Sequence, residues 1–342
     1  MAANTRGRRA SPCPRPDPGR PLSRATPFLV LLAGVLAASS SSILIRYAQQ
    51  DGIASLAIAA WRMVLASLVL LPLALATRRA EIRRLAPRSL AVALLAGLFL
   101  AAHFTAWISS LEYTSVASSA ALVTTNPIWV GLATVLIFRE RLPRLTIAGI
   151  AISLLGCLLI LWVDYRVDPL TATAPGGSLA GGMADGPGGE RRPMLGNGLA
   201  LAGAVCISAY LLTGRRIAGR FSLLAYVTMV YGAAAVMLML AAVVAGVELW
   251  RYPASGWAAL AGLALVPQLI GHTAFNWSLR RLSPTFVALS ILGEPVGSAI
   301  LASLLFAEVP SVLQLGAFAT LLGGIAVAAL GERAAARPGA PA

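Results

Sequence analysis

The sequence predicts an all-α integral membrane protein, with ten transmembrane helices arranged as two inverted five-helix repeats. Three observations carry that prediction: long apolar runs, a one-sided distribution of arginine, and an internal match between the two halves. Only 12% of the 342 residues are charged and 58% are hydrophobic, whereas about a quarter of a soluble domain is charged. Much of the charge lies in 1–26, 165–194 and 331–342. What remains is almost continuously apolar and holds about ten helices of roughly 20 residues each. A soluble enzyme with a conventional core is excluded. Open sheets would leave edge amides unpaired in lipid, so runs of this length with little period-two alternation are helices and not a barrel.

Charged and Gly/Pro breaks place the helices at 28–45, 54–76, 90–110, 115–138 and 144–163, then at 195–213, 222–246, 257–277, 283–306 and 311–330. The connecting arginines test this count. With the N-terminus in the cytoplasm, twenty-one arginines fall on the inner side, including Arg78, Arg79, Arg139, Arg141, Arg215, Arg280 and Arg333. Five fall outside, namely Arg46, Arg166, Arg191, Arg192 and Arg251, while Arg62 lies within the second helix. Such a bias fixes orientation in a bilayer, with both termini cytoplasmic.

The net charge of +14 comes without a single lysine. Spread between apolar runs it orients the chain in lipid and implies no nucleic-acid partner. The absence of lysine excludes Schiff-base chemistry, and it fits a GC-rich bacterial coding bias. Cys13, Cys157 and Cys206 give no disulfide framework. Residues 1–26 read as a disordered Pro/Arg-rich tail and not a secretory signal, because nine further crossings follow. Residues 165–194 form a Gly/Pro-rich outer linker, read as a flexible tether, and 331–342 form a cytoplasmic tail.

Sliding 105–156 onto 273–324, an offset of 168, needs no gap. Thr105, Ala106 and Trp107 fall on Thr273, Ala274 and Phe275; Pro127 falls on Pro295, Phe138 on Phe306, Glu140 on Glu308 and Gly156 on Gly324. At offset 169, Gly34, Ser39 and Arg46 fall on Gly203, Ser208 and Arg215. Five crossings are an odd number, so the second copy enters the membrane from the opposite side. Inverted repeats build secondary transporters, whose two halves exchange conformations about a midplane site.

Gly293-Glu294-Pro295-Val296, followed by Phe306-Ala307-Glu308-Val309-Pro310 and a Gly-rich last helix, resembles the second repeat of the EamA family in the drug/metabolite transporter superfamily. Asn126-Pro127-Ile128-Trp129 and Phe138-Arg139-Glu140-Arg141-Leu142 resemble the first. The resemblance covers 28–330, giving repeats at 27–164 and 195–330. It implies a bacterial inner-membrane permease that exports amino acids or other small metabolites through a cavity between the halves. The long outer linker departs from the family's usual short connection.

Ionisable groups at membrane depth cost several kcal/mol unless paired, protonated or facing a wet cavity. Glu294 is expected near the middle of the ninth helix, either as a proton-loading group or as a structural acid matched to Asn126 in the other repeat. Pro295 withholds a helical donor there. Gln268, His272 and Asn276 form a stripe at i, i+4 and i+8, for proton exchange, substrate contact or helix packing. His103 shares a face with Trp107, whose repeat mate is Phe275, and both aromatics are candidate cavity walls. Arg62 either holds a substrate carboxylate or snorkels outward, with Trp61 as an interfacial anchor. Ser39-Ser40-Ser41-Ser42 supplies hydroxyls or close helix contacts, and Gly149, Gly156, Ala317 and Gly324 read as packing. Glu140 and Glu308 are expected to pair with neighbouring arginines at opposite surfaces.

The sequence thus points to a secondary transporter exporting a small amino-acid-like or drug-like metabolite by alternating access, coupled to protons. Its partners are the small substrate, membrane lipid and protons, and an oligomer is compatible with the sequence. No metal-ligand cluster, cofactor motif or nucleophile motif occurs. A membrane enzyme acting on lipid-linked substrates would need clustered acids, histidines or metal ligands at one surface. A non-transporting scaffold would need no inverted repeat.

Overall fold

The computed structural model describes residues 25–83, 86–137, 142–166, 192–215, 221–278 and 290–335, with Arg139, Leu282 and Val287 as isolated positions. The expectations for 1–24, for most of the linker, for Glu140 and for 336–342 lie outside the described residues, whereas 331–335, read as the start of the C-terminal tail, continue the last helix. The described residues form helices and turns. Among the described residues nine helices are long and apolar enough to cross a membrane, and a shorter apolar helix, Gly293–Phe306, stands beside them.

Helix α1 (Thr26–Gln50) breaks at Ser40, where the Ser39 and Ser40 hydroxyls donate back to the carbonyls of Val35 and Ala37. Such back-bonding bends helices. α2 (Ser55–Arg83) and α3 (Pro87–Tyr113) follow, the latter opening on a proline in its first turn, where the missing N–H costs nothing. α4 is two pieces, Val116–Val123 and Asn126–Leu136. Ser115 caps the first piece by accepting from the Ser118 N–H. Thr124 and Thr125 turn their hydroxyls onto the carbonyls of Ala121 and Leu122, and Asn126-Pro127 opens the second piece. α5 (Arg144–Arg166), α6 (Pro193–Arg215) and α7 (Leu223–Val244) are single helices.

α8 has three pieces: Ala254–Leu263, a π-helical stretch Ala264–Gly271 around Pro267, and His272–Ser278. The His272 N–H reaches the Pro267 carbonyl, the wider spacing that a proline inside a helix permits. α9 (Gly293–Phe306) and α10 (Val312–Ala335) complete the chain. Sequence periodicity starts the ninth helix at 283. Val287, Ser290 and Ile291 are helical, and a turn at Leu292 then breaks the crossing, so Glu294 lies in the first turn of its second piece, Gly293–Phe306, and not within one continuous helix.

The packing repeats with the sequence. α2 lies on α7 and α5 on α10, each against its own repeat mate. α3 packs on α6 as α8 packs on α1, and α4 packs on α6 as α9 packs on α1. α5 and α10 approach closely enough that a Cβ on Gly149 would sit 2.2 Å from the Ala328 backbone nitrogen, and one on Gly156 2.4 Å from that of Leu321. The small-residue stripe expected there is a packing seam, joined by Thr146 and Ser153 hydroxyls donating to the carbonyls of Ala328 and Leu321. Among the described residues the two non-glycine positions with positive φ, Arg139 at 56° and Ala307 at 54°, are themselves repeat mates at offset 168. Leucines such as Leu29, Leu36, Leu68, Leu158 and Leu304 remain exposed, a surface suited to lipid contact.

Candidate functional site

Where α2, α3 and α8 meet, a cationic side chain is withdrawn from solvent. Arg62 is 1% exposed. Its Nε donates to Gln268 Oε1 at 2.9 Å, and its Nη1 donates to Ser41 Oγ at 2.9 Å. The guanidinium carbon stands 4.4 Å from the centre of the Phe104 ring and 5.8 Å from that of Trp107. Tyr231 shares a side-chain hydrogen bond with Gln268, and Glu294, His103 and His272 lie within electrostatic range of Arg62. Arg62 does not snorkel. Trp61 is no lipid anchor either: it is buried, donates from Nε1 to the Leu249 carbonyl, and packs edge-on against Trp250 and Trp257.

The cluster is shared between repeats. Arg62, Ser41, Phe104 and Trp107 come from the first half; Gln268, Tyr231 and Glu294 come from the second. His103 donates from Nδ1 to the Gly203 carbonyl at 2.9 Å, bridging α3 and α6, and its ring lies nearly parallel to Trp107 with centroids 5.8 Å apart. Gln268 sits in the π-helical stretch, which interrupts the regular i, i+4 stripe expected with His272 and Asn276. His272 is half-buried with its ring edge-on to Phe275 at 6.1 Å, and the Asn276 side chain lies outside the described residues. Phe275 is buried in a separate cluster with Leu31, Val35 and Ala38, so it does not line the Arg62 cluster as its mate Trp107 does.

Asn126 and Glu294 begin the second pieces of broken helices. Ser208 donates to the Asn126 carbonyl at 3.1 Å, and Ser39 donates to the Glu294 carbonyl at 3.3 Å. Donors and acceptors are both repeat mates, so one hydrogen bond is made twice in swapped order. Discontinuous helices meeting at the repeat interface are the form that midplane binding sites take in inverted-repeat transporters.

One membrane face is tied across the repeats. Arg46 at the end of α1 pairs with Glu308 after α9 at 3.3 Å and donates to the Thr114 carbonyl at 3.1 Å. Glu308 also accepts from the Val116 N–H at the start of α4, at 2.9 Å. Thr114 donates to Asn197, Asn197 to Asp164 and Gln314 to Asp164, at 2.8, 2.8 and 3.0 Å. Glu308 therefore finds an arginine, as expected, but on a helix of the other repeat and not on a neighbouring segment. Sequence reasoning missed Asp164, Asn197, Thr114, Gln314 and Phe104. It also missed that Tyr231 is the repeat mate of Arg62 at offset 169, a match the same sliding could have exposed.

Among solved structures, 22 chains match. One, described only as the crystal structure of a protein, is 23% identical, covers 92% of this chain and all of its own length, and superposes with a TM-score of 0.59. That likeness concerns the fold. The search of curated proteins returns no match. The EamA-like transporter family matches residues 26–162 and again 194–330, which are the two halves related above by packing and hydrogen bonds. The chain is a multi-pass membrane protein of the EamA-like transporter family.

Proposed function

We propose that this protein is a secondary transporter that exports a small metabolite across the bacterial inner membrane by alternating access. The observation that carries the proposal is Arg62, a buried cation held by groups from both repeats at their junction. A rocking motion of one repeat against the other changes the surroundings of a site built from both, whereas a site within one repeat would move as a unit. The arginine count supports cytoplasmic termini, and in this reading Arg46 and Glu308 lie at the outer face. Their ion pair, with the Thr114–Asn197–Asp164–Gln314 chain beside it, supports a conformer closed to the outside.

Glu294 is the proton carrier in this reading. It opens a half-helix next to the cluster, within electrostatic range of Arg62. Uptake of a proton by Glu294 would free Arg62 for substrate, and loss of that proton would restore an internal counter-charge. The test uses vesicles reconstituted with the full chain, screened with a metabolite panel for flux that depends on the protein. At least one solute is expected to move down an imposed pH gradient, and Glu294→Gln is expected to abolish the gradient dependence while leaving thermal unfolding cooperative. Undiminished pH-driven flux in that variant would remove proton coupling, and absence of any protein-dependent flux would remove transport.

A further inference from the structure

Two donors at the centre of the molecule lack an acceptor to match them. Arg62 carries a full positive charge at 1% exposure, yet its hydrogen bonds among the described residues run to a neutral amide oxygen and a hydroxyl. Among the described residues the ion pair belongs to Arg46 and Glu308, and Arg62 has no carboxylate within ion-pair distance. A few ångströms away, the Nε1–H of Trp107 is buried and meets no acceptor among the described residues. A buried guanidinium without a counter-ion and a buried N–H without an acceptor are each unfavourable. Such a pair of donors favours a group that accepts and does not donate, and that brings negative charge.

The surroundings restrict it further. Phe104 lies over the guanidinium, and the parallel rings of His103 and Trp107 continue the same wall. Tyr231 hydrogen-bonds to Gln268, the amide that accepts from Arg62. One cation matches one negative charge, and a flat fork of donors matches a planar pair of oxygens better than a tetrahedral dianion. The ring faces suit an apolar or aromatic body.

Building on the transport reading, we infer that the site between the repeats takes an organic monocarboxylate. Its oxygens meet Arg62 and the Trp107 N–H, and its apolar body lies along Phe104, Trp107 and His103. Glu294 is the protein's own anion in the same field, so substrate and Glu294 compete for one cation.

Equilibrium dialysis against the full chain in lipid nanodiscs tests this with matched pairs: phenylacetate and phenylacetamide, indole-3-acetate and indole-3-acetamide, octanoate and octanamide. Each amide keeps the body and removes the charge. At least one carboxylate is expected to bind about tenfold or more tighter than its amide, the scale of a charge-assisted hydrogen bond. Trp107→Phe, which keeps an aromatic ring, is expected to narrow that gap, and Arg62→Gln to close it. Equal binding within every pair by the unaltered protein overturns the inference whatever the variants do. Protein-dependent flux of neutral or cationic solutes without any carboxylate preference would sink the ligand class and leave transport standing. Carboxylate-selective binding without flux of any solute would sink transport and leave the ligand class standing.

Discussion

Arg46 and Arg62 stand on consecutive helices of the same repeat, and both are withdrawn from water, but they meet opposite environments. Arg46 reaches across to the carboxylate of Glu308 and to a backbone carbonyl, at a membrane face where α1, α4 and α9 converge. Arg62 reaches across to Gln268 and otherwise faces aromatic rings. Both link the two repeats. The first carries its counter-ion within the protein, so its charge is spent on holding two segments together. The second is held in place by neutral groups, and in the proposed reading its charge serves a ligand that comes and goes. A cation that is positioned but not neutralised is what distinguishes a binding group from a structural one.

The comparison can be broken most sharply at Arg62. Replacing it with glutamine is expected to lower protein-dependent flux by about 100-fold or more, since a charged partner of the ligand is lost at low dielectric, while unfolding temperature changes far less. Similar losses in flux and in stability would make Arg62 a structural group like Arg46. At the other arginine the order reverses. Glu308→Gln leaves Arg46 without its counter-ion, and removing one partner of a buried pair costs about 3 kcal/mol or more. The expected result is faster labelling of outer-face cysteines and a lowered unfolding midpoint, with ligand preference retained.

A smaller effect is expected at the turns that lead into the two repeat-mate glutamates. Ala307 and Arg139 both occupy the left-handed region, which costs an L-residue about 1 kcal/mol. Ala307→Gly is expected to be tolerated or mildly stabilising by chemical denaturation, because the conformation is already one that glycine favours. Marked destabilisation would show that the Ala307 methyl group matters more than its φ.

The smallest effect belongs to the exposed loop between α7 and α8. Backbone N–H groups of Trp250, then Arg251 and Leu249, donate to Glu248 and hold its carboxyl below the usual carboxylate range. A depressed carboxylate contributes its stabilisation at neutral pH and loses it as pH falls through the folded-state value. Amide exchange at Trp250 is therefore expected to show extra protection near pH 7 that fades on acidification, and Glu248→Gln should flatten that profile. A pH-independent profile in the unaltered protein would contradict it.

Much of the fold was legible because lipid imposes it: apolar runs of the right length, arginines on one side and a gapless offset leave few alternatives. The helix breaks were less legible. Thr124-Thr125 and Leu292 sit inside apolar runs, where hydropathy reads straight through hydroxyl-to-backbone bonding and proline at a first turn. Glu294 was accordingly expected mid-helix. At the site, Gln268, His103 and Trp107 were named from their own positions, but their convergence on Arg62 depends on packing between separate helices, with Gln268 about 200 residues away in sequence. Phe104 carried no signal, because a phenylalanine in an apolar helix looks the same whether it faces lipid or a cation. Arg62 itself was readable as ionisable and deep, and only the packing decides between snorkelling and burial.

The central claim is that the Arg62 cluster is reached from one side of the membrane and then from the other. Ser41, whose hydroxyl accepts from Arg62, offers the most direct probe as Ser41→Cys in a chain with Cys13, Cys157 and Cys206 replaced by serine. A membrane-impermeant thiol reagent is expected to label it from the inner face while the Arg46–Glu308 pair is intact, and from the outer face once Glu308→Gln releases that pair. Labelling from a single face in both backgrounds, or from neither, would contradict the account.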